Sequence, residues 1–217
     1  MKCKQCTSSK TIKSGRQKNG TQKYQCKVCG TYFQGSYRYQ SYEVNDKMII
    51  QLTKEGCGIR STSRILNISA TTVINRILKI ASNIEKPPIP IGKSYQVDEL
   101  ITFIGNKQRK CCVVYAFEPE NKTVACFAVG RRNKNTLRQV VNTVLLSEAK
   151  QIATDKLNYY ETLIPKTLHQ VKRKGTNHIE RHNLNLRTHL KRLNRRTICY
   201  SKSLSMLVAC VMIYFWR

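Results

Sequence analysis

The sequence predicts an α/β domain with a mixed sheet, preceded by two smaller domains of different composition. Three observations predict this order: an N-terminal segment rich in Cys, Lys, Gly and Thr, a segment with helical periodicity, and a long segment of alternating strand and helix patterns. The chain has 217 residues and is 41% hydrophobic, enough for a medium domain with its own core and small additional ones. The predicted domains are residues 1–36, 43–84 and 94–217, with a proline-rich linker at 85–93.

Two Cys-x2-Cys pairs characterise the first segment. Cys3 and Cys6 form one pair, and Cys26 and Cys29 form the other. Such pairs bring four thiolates to one zinc ion. The segment has too few apolar residues to build a core, and zinc binding would supply the missing folding free energy. Disulfides or a redox pair are the alternatives, and a cytoplasmic setting disfavours both. The segment is therefore predicted to be a zinc ribbon holding one structural Zn²⁺.

Helical periodicity in the second segment predicts a helix-turn-helix. A first helix is expected near residues 46–55, residues 67–69 form a short turn, and Ser69 can cap the third helix. Apolar side chains, Ile65 and Ile74 among them, are expected to face the core. The small, polar and basic side chains that remain suit a helix that reads the major groove, although an ordinary three-helix bundle is the alternative. The candidate DNA-binding residues of this domain are Arg60, Thr71, Thr72, Asn75 and Arg76.

The charge of the chain predicts a polyanionic partner. Its 39 Lys and Arg residues against 12 Asp and Glu give a net charge of +27, distributed along the whole length. Double-stranded DNA is the expected partner, and coating of RNA is the alternative. The longest apolar stretch, Met206 to Trp216, is shorter than the roughly 20 residues of a membrane span and is expected to be a buried helix. With no apolar run at the N-terminus, a cytoplasmic location without membrane contact is expected.

The third segment begins with three strand patterns on short connections, which predict an antiparallel meander. The expected strands span residues 94–104, 110–117 and 123–129. Further elements are expected along the rest of the segment: a helix at 135–146, a short strand at 151–154, a short helix at 158–164, a long helix from near 177 and a last helix at 203–215.

Three isolated carboxylates in this segment predict catalysis. Asp98 lies within the first strand, and Asp155 comes at the end of the fourth strand, where functional side chains collect. Glu180 is the only acidic residue from Lys166 to Arg217. Carboxylates that converge on one sheet edge can hold two Mg²⁺ or Mn²⁺ ions for cleaving and joining phosphodiesters.

Each carboxylate has a structural alternative. Asp98 could be a surface residue of an edge strand, and Asp155 could cap the helix that follows it. Glu180 could close a capping box with Asn177. Glu99 competes with Asp98, but adjacent strand residues face opposite ways, so only one of the two is expected to join the cluster.

Three stretches of this segment resemble the insertion-sequence-one type of bacterial transposases. They are Ala153 to Lys156 with Tyr159 and Tyr160, then Asn177 to Arg187, and then Lys191 to Ser203. The order of the predicted domains fits the same family. The resemblance implies a DDE transposase with an RNase H-like catalytic domain, in which Asp98, Asp155 and Glu180 bind the metal ions. It also implies that Arg187, seven residues after Glu180, contacts DNA, and Lys191 points to the same side.

The function predicted from all these features is DNA transposition. The protein is expected to bind the terminal inverted repeats of its own element and to catalyse strand cleavage and strand transfer. Because two DNA ends must be brought together, a homo-oligomer, at least a dimer, is expected. The alternatives are a non-catalytic sequence-specific DNA-binding regulator derived from a transposase, and a nuclease that uses the same carboxylates for hydrolysis alone.

Overall fold

The structure is a computed structural model that describes most of the chain, in the ranges 1–18, 20–35, 45–171 and 176–217. Two compact units are present, residues 1–44 and 45–217. The expected domain boundaries at residues 36 and 43 lie outside the described residues.

The first unit is a small antiparallel sheet of three strands in the order β1-β2-β3. The strands are β1 (Thr11–Arg16), β2 (Gln22–Cys26) and β3 (Tyr32–Gln34). Among its described residues, the buried side chains are those of two cysteines and one aromatic residue, Cys3, Cys26 and Phe33. So small an apolar cluster agrees with a segment whose folding depends on a bound metal.

The second unit begins with three helices: α1 (Asp46–Lys54), α2 (Ile59–Leu66) and α3 (Ala70–Ser82). The predicted turn and cap between α2 and α3 are confirmed. Asn67 ends α2 in the left-handed conformation, with φ of 51°, and the Ser69 side chain accepts a hydrogen bond from the Thr72 N–H at 3.0 Å. Both α1 and α3 pack against the last helix of the chain.

Two isoleucines of these helices do not face the core. Ile65 is 57% exposed and Ile74 is 37% exposed, so the expectation that both point inward is wrong. In α3 the inward positions are Val73 and Ile77, four residues apart, and Ile74 lies about 100° around the helix from Val73. In α2 the buried position is taken by Thr62.

A mixed sheet of five strands forms the centre of the second unit, in the order β6-β5-β4-β7-β8. The strands are β4 (Ser94–Phe103), β5 (Lys110–Glu118), β6 (Thr123–Gly130), β7 (Gln151–Ala153) and β8 (His169–Gln170). The first three pair antiparallel, as the meander predicted, while β7 pairs parallel with β4 and with β8. Among the strands that the structure describes in this sheet, only β8, a strand of two residues, has no counterpart in the sequence prediction.

Helices cover both faces of this sheet and divide the core into two apolar clusters. One face packs against α4 (Lys134–Leu146) and α5 (Asn158–Leu163), and the other against α6 (Asn177–His189) and α7 (Leu204–Trp216). The pattern of β4 explains the division, because Val97 belongs to the first cluster and Leu100 to the second. The predicted burial of the last helix is confirmed. Within the described ranges, no helix has the length and apolar character needed to cross a membrane.

Candidate metal sites and active site

Four cysteine sulfurs meet in the N-terminal unit. The Sγ atoms of Cys3 and Cys29 are 3.6 Å apart, and those of Cys6 and Cys26 are 3.5 Å apart. All four sulfurs lie within 4.8 Å of one another. Tetrahedral zinc, with Zn–S bonds near 2.3 Å, separates its sulfurs by about 3.8 Å. The predicted cysteine cluster is therefore present, and its geometry is compatible with one structural zinc ion.

The two cysteine knuckles have the same backbone conformation. The N–H of Thr7 donates to the carbonyl of Cys3 at 3.0 Å, and the N–H of Gly30 donates to the carbonyl of Cys26 at 3.0 Å. The closing residues both have positive φ, 58° at Thr7 and 72° at Gly30. Glycine adopts this conformation freely, whereas threonine does so at a conformational cost. The positions of the sulfurs thus follow from two short local segments.

Asp98 lies on an interior strand of the larger sheet. Strand β4 pairs with β5 along its length and with β7 as far as Gln96, and the Asp98 side chain is half-buried, so the alternative of a surface residue on an edge strand is wrong. Its half-buried side chain faces α6, where Asn183 Nδ2 donates to Asp98 Oδ2 at 2.7 Å. The backbone N–H of Glu99 donates to Asp98 Oδ1, also at 2.7 Å. Two donors therefore hold this carboxylate in one orientation.

A chain of hydrogen bonds extends from Asp98 into the core. The hydroxyl of Tyr115, on β5, lies 2.8 Å from Asn183 Oδ1 and 3.0 Å from His182 Nδ1. Since Asn183 donates through its nitrogen to Asp98, its oxygen accepts the single Tyr115 proton, and His182 Nδ1–H donates to Tyr115. Burial, with a smaller contribution from nearby His189, lowers the pKa of His182 to about 4, so the ring is neutral. Strand β5 and helix α6 together fix the position of Asp98.

Asp155 follows β7 and lies beside Asp98. Strand β7 ends at Ala153, which pairs with Gln96 of β4, so the chain reaches Asp155 level with Asp98. The exposed side chain accepts a hydrogen bond from the Leu157 N–H at 3.1 Å, which closes a turn. Leu157 is itself the N-cap of α5, so the alternative that Asp155 caps this helix is wrong.

Glu99 joins the same cluster from the other face of the sheet. Its side chain is only 2% exposed, and its Oε1 lies 3.6 Å from Arg132 Nε. Ligand oxygens of Asp98, Glu99 and Asp155 all lie within 4.8 Å of one another. The expectation that only one of the two neighbours joins is therefore wrong. Because β7 has ended at this level, Asp155 occupies a gap beside β4 that carboxylates on either face can reach.

Glu180 lies in the first turn of α6 and is exposed. The hydroxyl of Thr176 donates to Glu180 Oε1 at 2.9 Å. Thr176, not Asn177, is the N-cap of this helix, so the capping-box alternative is wrong. Among the residues that the structure describes, Glu180 is not in the carboxylate group that lies within 4.8 Å.

The clustered carboxyl groups have raised pKa values. Burial raises the pKa of Asp98 to about 6, and the negative charges of Asp155 and Glu180 add to the rise, so Glu180 is within electrostatic reach. Burial and, to a smaller extent, the charge of Asp155 raise the pKa of Glu99 to about 7 against an opposing effect of Arg132. Anions this close together in a partly dry site repel one another, and a divalent cation would relieve the repulsion.

Basic side chains lie on the same helix as Glu180. Arg187 is half-buried in α6, and burial lowers its pKa, as does the neighbouring Arg195, while the charge of Asp98 raises it. Arg187 therefore lies within electrostatic reach of Asp98. Lys191 is exposed at the start of a short 3-10 turn, Lys191–Leu193.

The candidate DNA-binding residues of the three helices differ in their surroundings. Those that are exposed are Arg60, Thr71 and Asn75. The Thr72 hydroxyl lies 2.8 Å from Ser69 Oγ, at the start of α3. Arg76 Nε donates to Asp46 Oδ1 at 2.8 Å, so its guanidinium group is tied to α1.

Sequence reasoning missed the residues that support Asp98, namely Asn183, Tyr115 and His182. One signal was present, because Asn183 follows Glu180 by three residues and so lies on the same face of α6. This spacing did not single out Asn183, because another asparagine, Asn185, follows two residues later. The role of Tyr115 depends on its register opposite Asp98 in the antiparallel pair, which only the sheet reveals.

The fold and the sites define an α/β protein with a carboxylate cluster suited to divalent metal ions and a separate four-cysteine cluster suited to zinc. The sequence model of the IS1 transposase family matches residues 94–215. This range contains Asp98, Glu99, Asp155 and Glu180. The chain belongs to the IS1 transposase family.

Curated relatives agree with this assignment. The insertion element IS1 protein InsB of Shigella flexneri is 34% identical over 111 residues, 51% of this chain and 85% of the relative. The insertion element IS1 9 protein InsB of Escherichia coli (strain K12) is 34% identical over 111 residues, 66% of its length. A solved simian T-cell lymphotropic virus intasome in complex with PP2A regulatory subunit B56 gamma is similar at a TM-score of 0.39 and 14% identity, covering 75% of this chain and 66% of that one. So low a score supports no conclusion about the fold.

Proposed function

We propose that this protein is a DNA transposase that binds the terminal inverted repeats of its own insertion sequence and catalyses metal-dependent strand cleavage and strand transfer. One observation carries the proposal: in a domain of the IS1 transposase family, carboxylates from separate parts of the chain, Asp98 and Asp155, meet beside one strand. The mixed sheet with helices on both faces supports an RNase H-like catalytic domain at residues 94–217.

In this proposal, Asp98, Asp155 and Glu180 hold two Mg²⁺ or Mn²⁺ ions. When bound, such ions activate the attacking hydroxyl or water and stabilise the leaving oxygen of the phosphodiester. The oxygen donors fit hard cations of this kind. Asp98 is oriented in advance by Asn183, so little rearrangement of that carboxylate is needed. Glu180 lies on the surface at the start of α6, and its charge raises the pKa of Asp98.

Arg187 and Lys191 are proposed to contact the DNA backbone near the reacting phosphate. Arg187 lies within electrostatic reach of Asp98, and Lys191 is exposed beyond it along the chain. A guanidinium group binds phosphate through two parallel hydrogen bonds, which would position the DNA strand as well as attract it. These residues therefore contribute to placing the scissile bond.

The helix-turn-helix at residues 43–84 is proposed to bind the terminal repeats. Arg60, Thr71, Thr72 and Asn75 would contact DNA through α2 and α3. Arg76 remains a candidate despite its ion pair with Asp46, because partly exposed pairs contribute only about 0–1 kcal/mol and a phosphate can compete for the guanidinium. The net charge of +27 supplies the general attraction for DNA.

The remaining parts of the proposal concern organisation. Residues 1–36 form a zinc ribbon and residues 85–93 a linker. The active form is at least a homodimer, because both ends of the element must be held together, and it acts on DNA in the cytoplasm. Each subunit would carry one Zn²⁺ and one carboxylate site.

A transposition assay with purified components tests the catalytic proposal. The full chain, Mg²⁺, DNA carrying an end of the element and a target plasmid are incubated, and cleaved and joined products are quantified. We expect Asp155→Asn to lower product formation by about a thousandfold, because the substitution removes a metal ligand. Glu161→Gln, which changes an exposed carboxylate on α5, is the matched control and should be fully active.

The same assay separates the alternatives. A wild-type protein that binds element ends without cutting them would be a regulator, and the catalytic proposal would fail. Cleaved ends without joined products would identify a nuclease. Equal activity of Asp155→Asn and the wild-type protein would exclude this carboxylate from catalysis, whatever the reaction.

A further inference from the structure

Glu99 carries a buried oxygen that no hydrogen bond satisfies. Its side chain is 2% exposed, and within the described part of the chain its Oε1 has no hydrogen-bond partner. The nearest cation, Arg132, places its Nε 3.6 Å away, too far for a hydrogen bond, and is itself 44% exposed. Buried polar atoms without partners are rare in native proteins, and they commonly mark a place where an ion or a water molecule binds.

Another buried glutamate of the same sheet shows what a purely structural carboxylate looks like. Glu118, on β5, is 1% exposed. It accepts hydrogen bonds from Asn121 Nδ2 at 2.9 Å and 3.1 Å, one to each oxygen, and from the Thr123 hydroxyl at 3.3 Å. Glu118 is therefore fully supported by its neighbours, and Glu99 is not.

The unsupported carboxylate is directed at other carboxylates, not away from them. A ligand oxygen of Glu99 lies within 4.8 Å of one from Asp98 and one from Asp155. A buried residue kept only for its ion pair with Arg132 would be expected to avoid two further anions. Carboxylates grouped in this way, one of them with a buried oxygen that lacks any donor, are arranged as ligands of a hard divalent cation.

We propose that Glu99 is a fourth carboxylate ligand of the metal site, bound directly to a divalent cation together with Asp98 and Asp155. The inference rests on the proposed function, since it adds a ligand to the site where the ions act. Asp98 approaches from the α6 face, Glu99 from the α4 face, and Asp155 from the gap beyond the end of β7. Glu180, on the opposite side of Asp98 from Glu99, would then complete the second ion's ligands.

Binding of Mn²⁺ alone, measured by electron paramagnetic resonance, tests this inference without DNA or activity. The full chain is prepared with zinc and then titrated with Mn²⁺ as wild type, Glu99→Gln, Glu118→Gln and Asp98→Asn. We expect Glu99→Gln to weaken Mn²⁺ binding by at least about tenfold, because glutamine keeps the volume and loses the anionic ligand. Glu118→Gln, the matched buried glutamate, should bind Mn²⁺ as the wild-type protein does.

Arg132→Gln separates a metal ligand from a partner of an ion pair. Under the proposal, loss of this cation leaves Mn²⁺ affinity unchanged or strengthens it, because a competing positive charge is removed. If Arg132→Gln weakened Mn²⁺ binding as much as Glu99→Gln does, Glu99 would act through the ion pair and the inference would be overturned. Thermal unfolding checks the fold, since Glu99→Gln is expected to melt at or above the wild-type temperature without metal.

The two levels of the proposal can fail separately. Normal Mn²⁺ affinity of Glu99→Gln together with a loss in Asp98→Asn would overturn the role of Glu99 and leave the metal site in place. Normal affinity of both variants would overturn the metal site itself. A tenfold loss in both, with Glu118→Gln unchanged, is the result that the structure predicts.

Discussion

The two candidate metal sites of this protein, the cysteine cluster and the carboxylate cluster, are built in opposite ways. In the cysteine cluster, each pair of ligands lies within four consecutive residues, and one backbone conformation, repeated at Thr7 and Gly30, sets both pairs. In the carboxylate cluster, Asp98 and Asp155 are 57 residues apart along the chain and come from two parallel segments of a sheet. The first cluster is a local structure that we expect to need its metal to fold, and the second is positioned by an extensive apolar core.

The surroundings of the two clusters show the same difference. Around the cysteines, the buried apolar side chains are few, with Phe33 as the main one. Around the carboxylates, apolar clusters lie on both faces of the sheet, and Asp98 is held by a hydrogen-bond chain that reaches Tyr115 in the core. Metal loss should therefore unfold the first site and leave the second folded but inactive.

The largest expected effect comes from breaking the cysteine cluster. Removal of zinc by a chelator, or the substitution Cys26→Ser, should unfold residues 1–35, because a structural zinc contributes on the order of 10 kcal/mol that few apolar contacts can replace. Amide signals of these residues in NMR spectra should collapse to unfolded positions, while those of the larger sheet stay in place.

Cys57→Ser is the control for this experiment, since Cys57 is half-buried and lies outside the cluster. It should keep one zinc per chain. Retention of dispersed amide signals for the first unit after complete zinc removal would contradict the view that this unit depends on its metal.

A smaller effect is expected from loosening the carboxylate site. Asn183→Ala removes both the donor to Asp98 and the acceptor for Tyr115, while the core around them stays packed. We expect DNA strand transfer and Mn²⁺ affinity to fall about ten- to a hundredfold, as is usual when the partner of a metal ligand is removed. Asn185→Ala, an exposed asparagine on the same helix, is the control and should leave both quantities unchanged.

The Asn183 substitution distinguishes positioning from general stability. A positioning role predicts lower Mn²⁺ affinity at an unchanged melting temperature, and Tyr115→Phe should reproduce part of the loss. If Asn183→Ala bound Mn²⁺ normally, the orientation of Asp98 would not depend on α6.

The smallest expected effect concerns the pH dependence of stability without divalent metal. Burial raises the pKa of Glu99 from 4.5 to about 7 and that of Asp98 from 3.8 to about 6, so the folded protein holds more protons than the unfolded chain between these values. The free energy of unfolding should therefore decrease as the pH rises from about 4 to 7. Calorimetric melting temperatures across this range would measure the decrease.

The double variant Asp98→Asn with Glu99→Gln should flatten that decrease, because neither group can then titrate. Saturating Mg²⁺ should reverse its direction in the wild-type protein, since the cation binds the deprotonated carboxylates. A wild-type protein whose stability increased between pH 4 and 7 by the same amount as the double variant would show that these carboxyl groups are not perturbed.

Most elements of the larger domain could be predicted from sequence, because their patterns are local. The strands β4, β5 and β6 and the helices α4 and α7 begin and end within about two residues of their predicted limits, since alternation and helical periodicity respond to burial on one face. The burial of Ile65 and Ile74 was wrongly predicted because each apolar residue lies beside the buried face of its helix and not on it. Strand β8 was missed because two residues carry no periodicity.

The carboxylate site was only partly predictable. Asp98 and Asp155 stood out by their strand positions, and the structure brings them together. Glu99 was set aside by the rule that neighbours on a strand face opposite ways, which holds here but does not keep the two side chains apart. The end of β7 at Ala153 opens a gap beside β4. No sequence pattern in either strand predicts that a third carboxylate can reach this gap.

By itself, the sequence determined the cysteine cluster, most of the secondary structure of the larger unit and the basic character of this protein, because each depends on spacing or composition within a short stretch. Only the tertiary structure decided which carboxylates meet, which of them lacks a hydrogen-bond donor, and that Tyr115 and Asn183 hold Asp98 in place. These properties depend on the pairing of distant strands and on the packing of α6 against β4 and β5, and the residues concerned lie far apart along the chain.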